Sequence, residues 1–191
     1  MAPGFYKGKQ FVSISSVNAN AKIYYTLDGS EPTPETATLY TGPIEVATTT
    51  PIRAIATEEG KHFSDIKTGT YFINNREISL PVISIVTDNK FFYDDEIGML
   101  VVGVNGGEVP SYCSFPEDQA NFMTDWERPC NIEYFSRDGK QEQLNMEVKA
   151  SNFGACSRTK HTKSLKIKAN KAYGGKKMDC ALFREKPNLQ W

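Results

Sequence analysis

The sequence predicts a mainly β protein with two domains: a small antiparallel β-sandwich, then an α+β domain built on a curled antiparallel sheet. Short β-favouring runs separated by turn clusters occupy residues 12–73, and this spacing is typical of a sandwich. Beyond residue 79 the predicted strands are longer and few segments have a helical pattern. We therefore predict domains at residues 1–76 and 77–191.

The predicted strands of the sandwich are rich in β-branched and aromatic residues. They cover residues 12–15, 23–26, 44–46, 52–56 and 70–73. The long loop at residues 27–43 is predicted to be ordered. Asp28 is placed to hold an Asx turn, Gly29 tolerates a positive φ, and three prolines stiffen the loop.

The second domain is predicted to open with the apolar strand at residues 80–88, which suits burial on both faces. Residues 104–125 have the composition of an insertion or flap, with a helical turn at residues 116–123. A hairpin then turns at Asp138 and Gly139. The residues predicted to face its core are Cys130, Ile132, Tyr134, Leu144, Met146 and Val148. A further strand at residues 164–168 is predicted to direct Lys166 and Lys168 outward.

The net charge of −1 is unevenly distributed along the chain. Residues 77–139 have a net charge of −9 and residues 140–191 of +8. These regions either pair internally or present a basic face to an anionic partner. No nucleic-acid signature accompanies the lysines, so nucleic acid is not an expected partner. No run has the roughly 18 apolar residues of a membrane span, and the first ten residues lack the apolar stretch of a secretory signal. The protein is therefore either intracellular or a trimmed piece of an exported one, and we favour the trimmed piece.

The four cysteines form no CxxC pair, and with two histidines in the chain they give no zinc-site spacing. Cys113, Cys130, Cys156 and Cys180 permit three disulfide connectivities and are equally compatible with buried thiols. The acidic run at residues 94–96 has the pattern of a solvated turn, because adjacent carboxylates rarely converge on one ion. No metal site is predicted.

Residues 5–74 contain IYYTLDGSEPT, LYTGPIEV, PIRAIATEEGKHFSD and TYFI. This series resembles the immunoglobulin-like module found at the C-terminal end of chitobiases and in many bacterial surface proteins. The resemblance implies an Ig- or fibronectin-like accessory sandwich without chemistry of its own. Tyr24, Tyr25, Tyr40 and Tyr71 either form a platform that stacks on sugar rings or fill the core and rim of the sandwich.

Residues 80–187 contain LPVISIVTD, DDEIGMLVVG, WERPCNIEYF, GACSR, KSLKIKANKAYGG and ALFREKP. In this order they resemble the N-terminal half of the spore-coat CotH-type kinase domain, an atypical protein kinase with two lobes. The resemblance implies an incomplete kinase-like lobe. Lys163 stands where that family has the lysine of its lysine strand, and Gly154, Ser157 and Arg158 correspond to its phosphate-facing turn. The chain departs from the family at Ala150, Ser151 and Asn152, where the family has a glycine-rich start.

The family's acidic catalytic loop and metal ligands belong to the C-terminal half of its domain, so no catalytic residue and no cofactor are expected in this chain. ATP and Mg²⁺ are implied for a longer parent chain. The leading hypothesis is a non-catalytic fragment of a bacterial secreted or cell-envelope protein whose partner is the rest of its own chain. One alternative is an adhesion module for a surface glycan or an envelope protein. The other is an active ATP-dependent kinase once the missing residues are present.

Overall fold

A computed structural model describes residues 1–58, 62–74, 78–104, 106, 120–136, 142–171, 175, 177, 178 and 180. The described part is mainly β, with several sheets and short helical segments. The chain divides into two compact units. The first contains Met1–Val86, Asn131–Asn145 and Cys180–Pro187, and the second contains Thr87–Cys130, Met146–Asp179 and Asn188–Trp191. The domain boundary that the sequence analysis places after residue 76 stays a prediction.

The structure describes seven strands before residue 74. They are β1 Gly4–Tyr6, β2 Gln10–Val12, β3 Lys22–Thr26, β4 Thr38–Leu39, β5 Ile44–Val46, β6 Thr50–Thr57 and β7 Lys67–Ile73. Five of them form a sheet in the order β1-β7-β6-β3-β4, and β2 pairs with β5 in a second sheet. The predicted sandwich is confirmed, with one correction. The pairing of β1 with β7 is parallel, whereas the sequence predicted an antiparallel sandwich.

The sandwich core lies between these two sheets. Its buried members are Val12, Ile44, Val46, Ile52, Tyr71 and Ile73, with Tyr6, Ile14, Tyr25 and Tyr40 packed against them. Full burial of such a side chain stabilises a fold by about 1.5–3 kcal/mol. The predicted loop turn is also confirmed, because Asp28 Oδ1 accepts from the Ser30 N–H at 3.0 Å and Gly29 has φ +85°. The Ser30 hydroxyl donates to the same oxygen at 2.6 Å, and this hydrogen bond, followed by that from the N–H, lowers the pKa of Asp28.

The remaining strands are β8 Val82–Val86, β9 Arg128–Phe135, β10 Glu142–Phe153 and β11 Ser164–Ala169. They form a sheet in the order β11-β10-β9-β8. Among the residues that the structure describes, three short helical segments accompany them: α1 Lys90–Tyr93 and the 3-10 helices Asn121–Met123 and Cys156–Thr159. The predicted hairpin turn at residues 138 and 139, and most of the predicted flap, lie outside the described residues.

Strand β8 differs from its prediction. Ile83 is 52% exposed and Ile85 36% exposed, so the expected burial on both faces is wrong. The physical reason is that alternate residues of a strand face opposite sides. Ser84 contacts Thr70 of β7, and the two isoleucines beside it face the other way. Apolar composition alone does not show that only one face of a strand is covered. Strand β11 agrees with its prediction, since Lys166 and Lys168 are exposed and the residues between them are less so.

In the first unit, residues of β9 cover the second face of β7. The rings of Phe5 and Phe72 stack at 4.5 Å, and Phe135 meets them edge-on at 5.8 and 5.4 Å. The fully buried Glu133 accepts hydrogen bonds from the N–H of Thr70, at 2.8 Å, and from its hydroxyl. Because alternate residues of a strand face opposite sides, Thr70 and Phe72 meet β9 while Tyr71 and Ile73 enter the sandwich core.

Candidate functional site

A surface cavity of about 430 Å³ lies within the second unit. Its charged lining residues are Asp125, Glu127, Arg158, Lys166 and Lys168, and residues 151–154 complete it. It therefore contains Gly154 and Arg158, two of the four residues that the kinase resemblance assigned to phosphate. The cavity is the candidate site because it brings these residues together with acids and lysines from two other segments, residues 125–127 and 166–168.

The β10–β11 ladder builds one wall of the cavity. Its register sets Lys149 opposite Lys168 and Ser151 opposite Lys166. Directly opposed residues of an antiparallel pair project from the same face, so the three lysines share one face. Two opposed lysines repel each other. An anion close to this face lowers that repulsion.

Glu127 supplies that negative charge. Its carboxylate accepts from Lys168 Nζ at 2.7 Å and from Lys149 Nζ at 3.1 Å. The hydrogen bond from Lys168, followed by that from Lys149, lowers the pKa of Glu127 below its usual value. The side chain of Lys166 makes no hydrogen bond or ion pair within the described part of the chain. Together the three lysines and Glu127 leave an excess of positive charge on this face.

The turn after β10 is closed by Arg158. Gly154 has φ +103°, and a Cβ there would lie 2.0 Å from Ser157 Oγ, so this position requires glycine. Arg158 follows in the 3-10 helix Cys156–Thr159, and its Nε donates to the Gly154 carbonyl at 2.7 Å. The Ser157 hydroxyl therefore lies against the turn itself.

The other guanidinium nitrogens of Arg158 hold the segment before β9. One donates to the carbonyls of Met123 at 2.8 Å and Thr124 at 3.3 Å, and the other to Asp125 Oδ1 at 2.8 Å. The side chain of Arg158 is 14% exposed, whereas that of Asp125 is 90% exposed. The arginine acts as a clamp between two segments of the second unit.

Lys163 does not line the cavity. Its Nζ lies 4.3 Å from the centroid of the Phe122 ring and donates to the Lys160 carbonyl at 3.0 Å. Burial lowers the pKa of this lysine. The structure thus groups Gly154, Ser157 and Arg158 and places Lys163 apart from the cavity that two of them line.

The four tyrosines proposed as a sugar platform belong to the first unit. Tyr71 is buried in the core, and Tyr25 and Tyr40 pack against it with their centroids 6.4 Å apart. The Tyr40 hydroxyl accepts from the Ile14 N–H at 3.2 Å. Tyr24 precedes Tyr25 on β3 and so projects from the opposite face. The four rings do not form one stacking surface.

Sequence reasoning missed Asp125 and Glu127, which line the cavity, and Lys149, which pairs with Glu127. The signal available was the alternation of two acids in residues 125–127, directly before a strand, which puts both on one side. Within the described residues no group of three or more histidines, cysteines and acids is placed to hold a metal ion. The described helical segments include none that is long and apolar enough to cross a membrane.

Residues 1–68 match the chitobiase/beta-hexosaminidase C-terminal domain. This chitobiase-type domain covers β1–β6, the loop between β3 and β5, and the start of β7. The match ends before Thr70 and Phe72, two residues of β7 that contact β9. Comparisons of the chain with curated proteins and with solved structures found no match.

Proposed function

We propose that this chain is a non-catalytic accessory part of a bacterial exported or cell-surface protein. Its chitobiase-type domain is a structural module, and the residues after it form the first lobe of a domain that resembles CotH-type kinases. Its main partner is the remainder of its own parent chain.

The hydrogen bonds that Arg158 makes within the chain are the observation that best supports a non-catalytic role. A residue that binds phosphate needs free N–H donors. Here the guanidinium donates to three backbone carbonyls and to Asp125. The ammonium of Lys163 lies on the Phe122 ring, away from the cavity. Neither cation is therefore arranged to receive a triphosphate.

The packing around β7 supports a structural role for the sandwich. A free binding module keeps an open face for its ligand, but here one face of β7 enters the core and the other contacts Phe135 and Glu133. Those contacts come from residues 63 positions along the chain from Thr70. The sandwich is thus joined to later sequence by a buried carboxylate and a cluster of three rings.

Titration of the full chain with MgATP tests the non-catalytic role. We expect no saturable heat and no transfer of label from γ-labelled ATP, because the two cations assigned to phosphate are engaged elsewhere. Saturable binding that Lys163→Ala abolishes and Lys160→Ala preserves would instead favour the kinase hypothesis. Lys160 is a suitable control because it is an exposed lysine of the same turn.

The state of Cys156 supports export, because disulfides persist in oxidising compartments. Cys156 is disulfide-bonded. We expect the unfolded chain, treated with an alkylating reagent without reductant, to yield a Cys156 peptide that carries no label. Reduction before alkylation should label the same peptide completely, which serves as the internal control. Full labelling without reductant, in protein produced in an oxidising compartment, would contradict this support.

A further inference from the structure

The cavity of the second unit combines an exposed aromatic ring with an excess of lysine charge. Phe153 lines it and is 57% exposed. In the β10–β11 ladder Phe153 lies opposite Ser164, which makes Lys166 its diagonal neighbour on the same face. Diagonal neighbours lie about 7–8 Å apart, within reach of a long side chain. We propose that this cavity binds an acidic sugar, a pyranose that carries a carboxylate, as in the uronic acid units of polysaccharides.

The ring of Phe153 accounts for the sugar. One face of a pyranose ring is lined by C–H groups and packs on an aromatic ring, as apolar groups do in ligand sites with a few polar contacts. The phenylalanine ring has no hydrogen-bonding group, so its exposed surface is apolar and burial of that surface is favourable. A stacked sugar removes this surface from water, whereas a small inorganic anion leaves it exposed.

Lys166 accounts for the acid. It makes no ion pair within the described part of the chain, while the neighbouring Lys149 and Lys168 share the carboxylate of Glu127. The face is therefore short of negative charge, and Lys166 is its available donor. A sugar that stacks on Phe153 can place its carboxylate near Lys166, the diagonal neighbour of that ring, and so supplies the negative charge.

The acids of the cavity favour a sugar carboxylate over a phosphate. Asp125 has a largely exposed carboxylate that accepts hydrogen bonds from sugar hydroxyls and repels a doubly charged phosphate. Glu127 stays paired with its two lysines and adds to that repulsion. A sugar, with one carboxylate among several hydroxyl groups, therefore fits this lining of lysines and acids better than a doubly charged phosphate does.

Calorimetric titration of the full chain with a galacturonic acid trimer tests the proposal, with its methyl ester as the uncharged probe. We expect saturable binding of the acid, binding of the ester weakened about tenfold, and an affinity that falls with added salt. Phe153→Ala and Lys166→Ala should each weaken binding of the acid by about threefold to tenfold. Lys22→Ala, which removes an exposed lysine from β3 of the other unit, should leave the affinity unchanged.

The outcomes are distinguishable. The side chains of Phe153 and Lys166 are exposed, so we expect both variants to fold. Unfolding temperatures equal to that of the original protein will show this. Equal affinity for acid and ester overturns recognition of the carboxylate. Binding that survives Phe153→Ala, or that polyphosphate matches with no dependence on Phe153, indicates general attraction to polyanions and overturns the site. Failure of glucuronic, mannuronic and galacturonic oligomers to bind also overturns it, without bearing on the non-catalytic role tested with MgATP.

Discussion

Replacement of Phe135 with alanine is expected to destabilise the first unit by about 3–5 kcal/mol. The side chain is fully buried and contacts the rings of Phe5 and Phe72 edge-on. Its removal leaves a cavity beside β1 and β7 and also loses two aromatic pairs, each of which contributes about 0.5–1.5 kcal/mol. Since small proteins are stable by about 5–15 kcal/mol, this loss is a large fraction of the total.

The measurement is equilibrium unfolding in guanidinium, followed by circular dichroism. Phe11→Ala provides the matched control, because Phe11 belongs to β2 of the same unit and is 54% exposed. That substitution should cost less than about 1 kcal/mol. If Phe135→Ala costs no more than Phe11→Ala, residues 131–135 do not contribute to the folding of the sandwich.

The packing of Phe135 on β1 and β7 also bears on where the chitobiase-type domain ends. The match ends at residue 68, yet the face of β7 beyond that point is covered by Phe135 and Glu133. A fragment cut at residue 68 or 76 lacks these two residues and exposes Phe5 to water. The domain recognised by its sequence is therefore smaller than the unit that packs as one body.

Local pattern sufficed to predict much of the sandwich. Strands β5, β6 and β7 coincide with runs of β-favouring residues, and the turn at Asp28 and Gly29 is dictated by side-chain and backbone chemistry within three residues. Strands β1 and β4 were missed because neither has the apolar–polar–apolar alternation that marks the equally short β5. The parallel pairing of β1 with β7 joins residues more than 60 positions apart, and no local signal encodes it.

Glu133 illustrates what pattern cannot supply. A glutamate between apolar residues of a strand ordinarily indicates a solvent-facing position. It is buried here because Thr70 satisfies its carboxylate from another sheet, and because its strand is covered on both faces. The sequence contains both residues, but only the fold makes them neighbours.

The candidate site divides in the same way. The residues of the turn, Gly154, Ser157 and Arg158, were identifiable because they are adjacent in sequence. The role of Arg158 was not, since its main acceptors are backbone carbonyls at residues 123 and 124, which any residue type provides. Lys163 was assigned by resemblance alone, and its actual neighbour, Phe122, lies 41 positions earlier in the chain.

Arg158→Ala is expected to destabilise the second unit by about 2–4 kcal/mol, because it strips donors from carbonyls that then lack partners. Arg158→Lys should be nearly as damaging, since one ammonium cannot span the directions that the planar guanidinium fork reaches. Asp125→Asn is the informative control. The partner carboxylate is 90% exposed, so loss of this ion pair should cost no more than about 1 kcal/mol.

Thermal and denaturant unfolding of the three variants separates a structural arginine from a ligand-binding one. A clamp predicts large losses of stability for both arginine substitutions and a small loss for Asp125→Asn, with no ligand present. If Arg158 instead serves to bind phosphate, the two arginine substitutions should leave the stability unchanged or raise it. Removal of the guanidinium then relieves the crowding of positive charge near Lys166 and Lys168. In that case the non-catalytic role proposed for this turn would have to be abandoned, since the contacts of Arg158 with residues 123–125 would then contribute nothing to the fold.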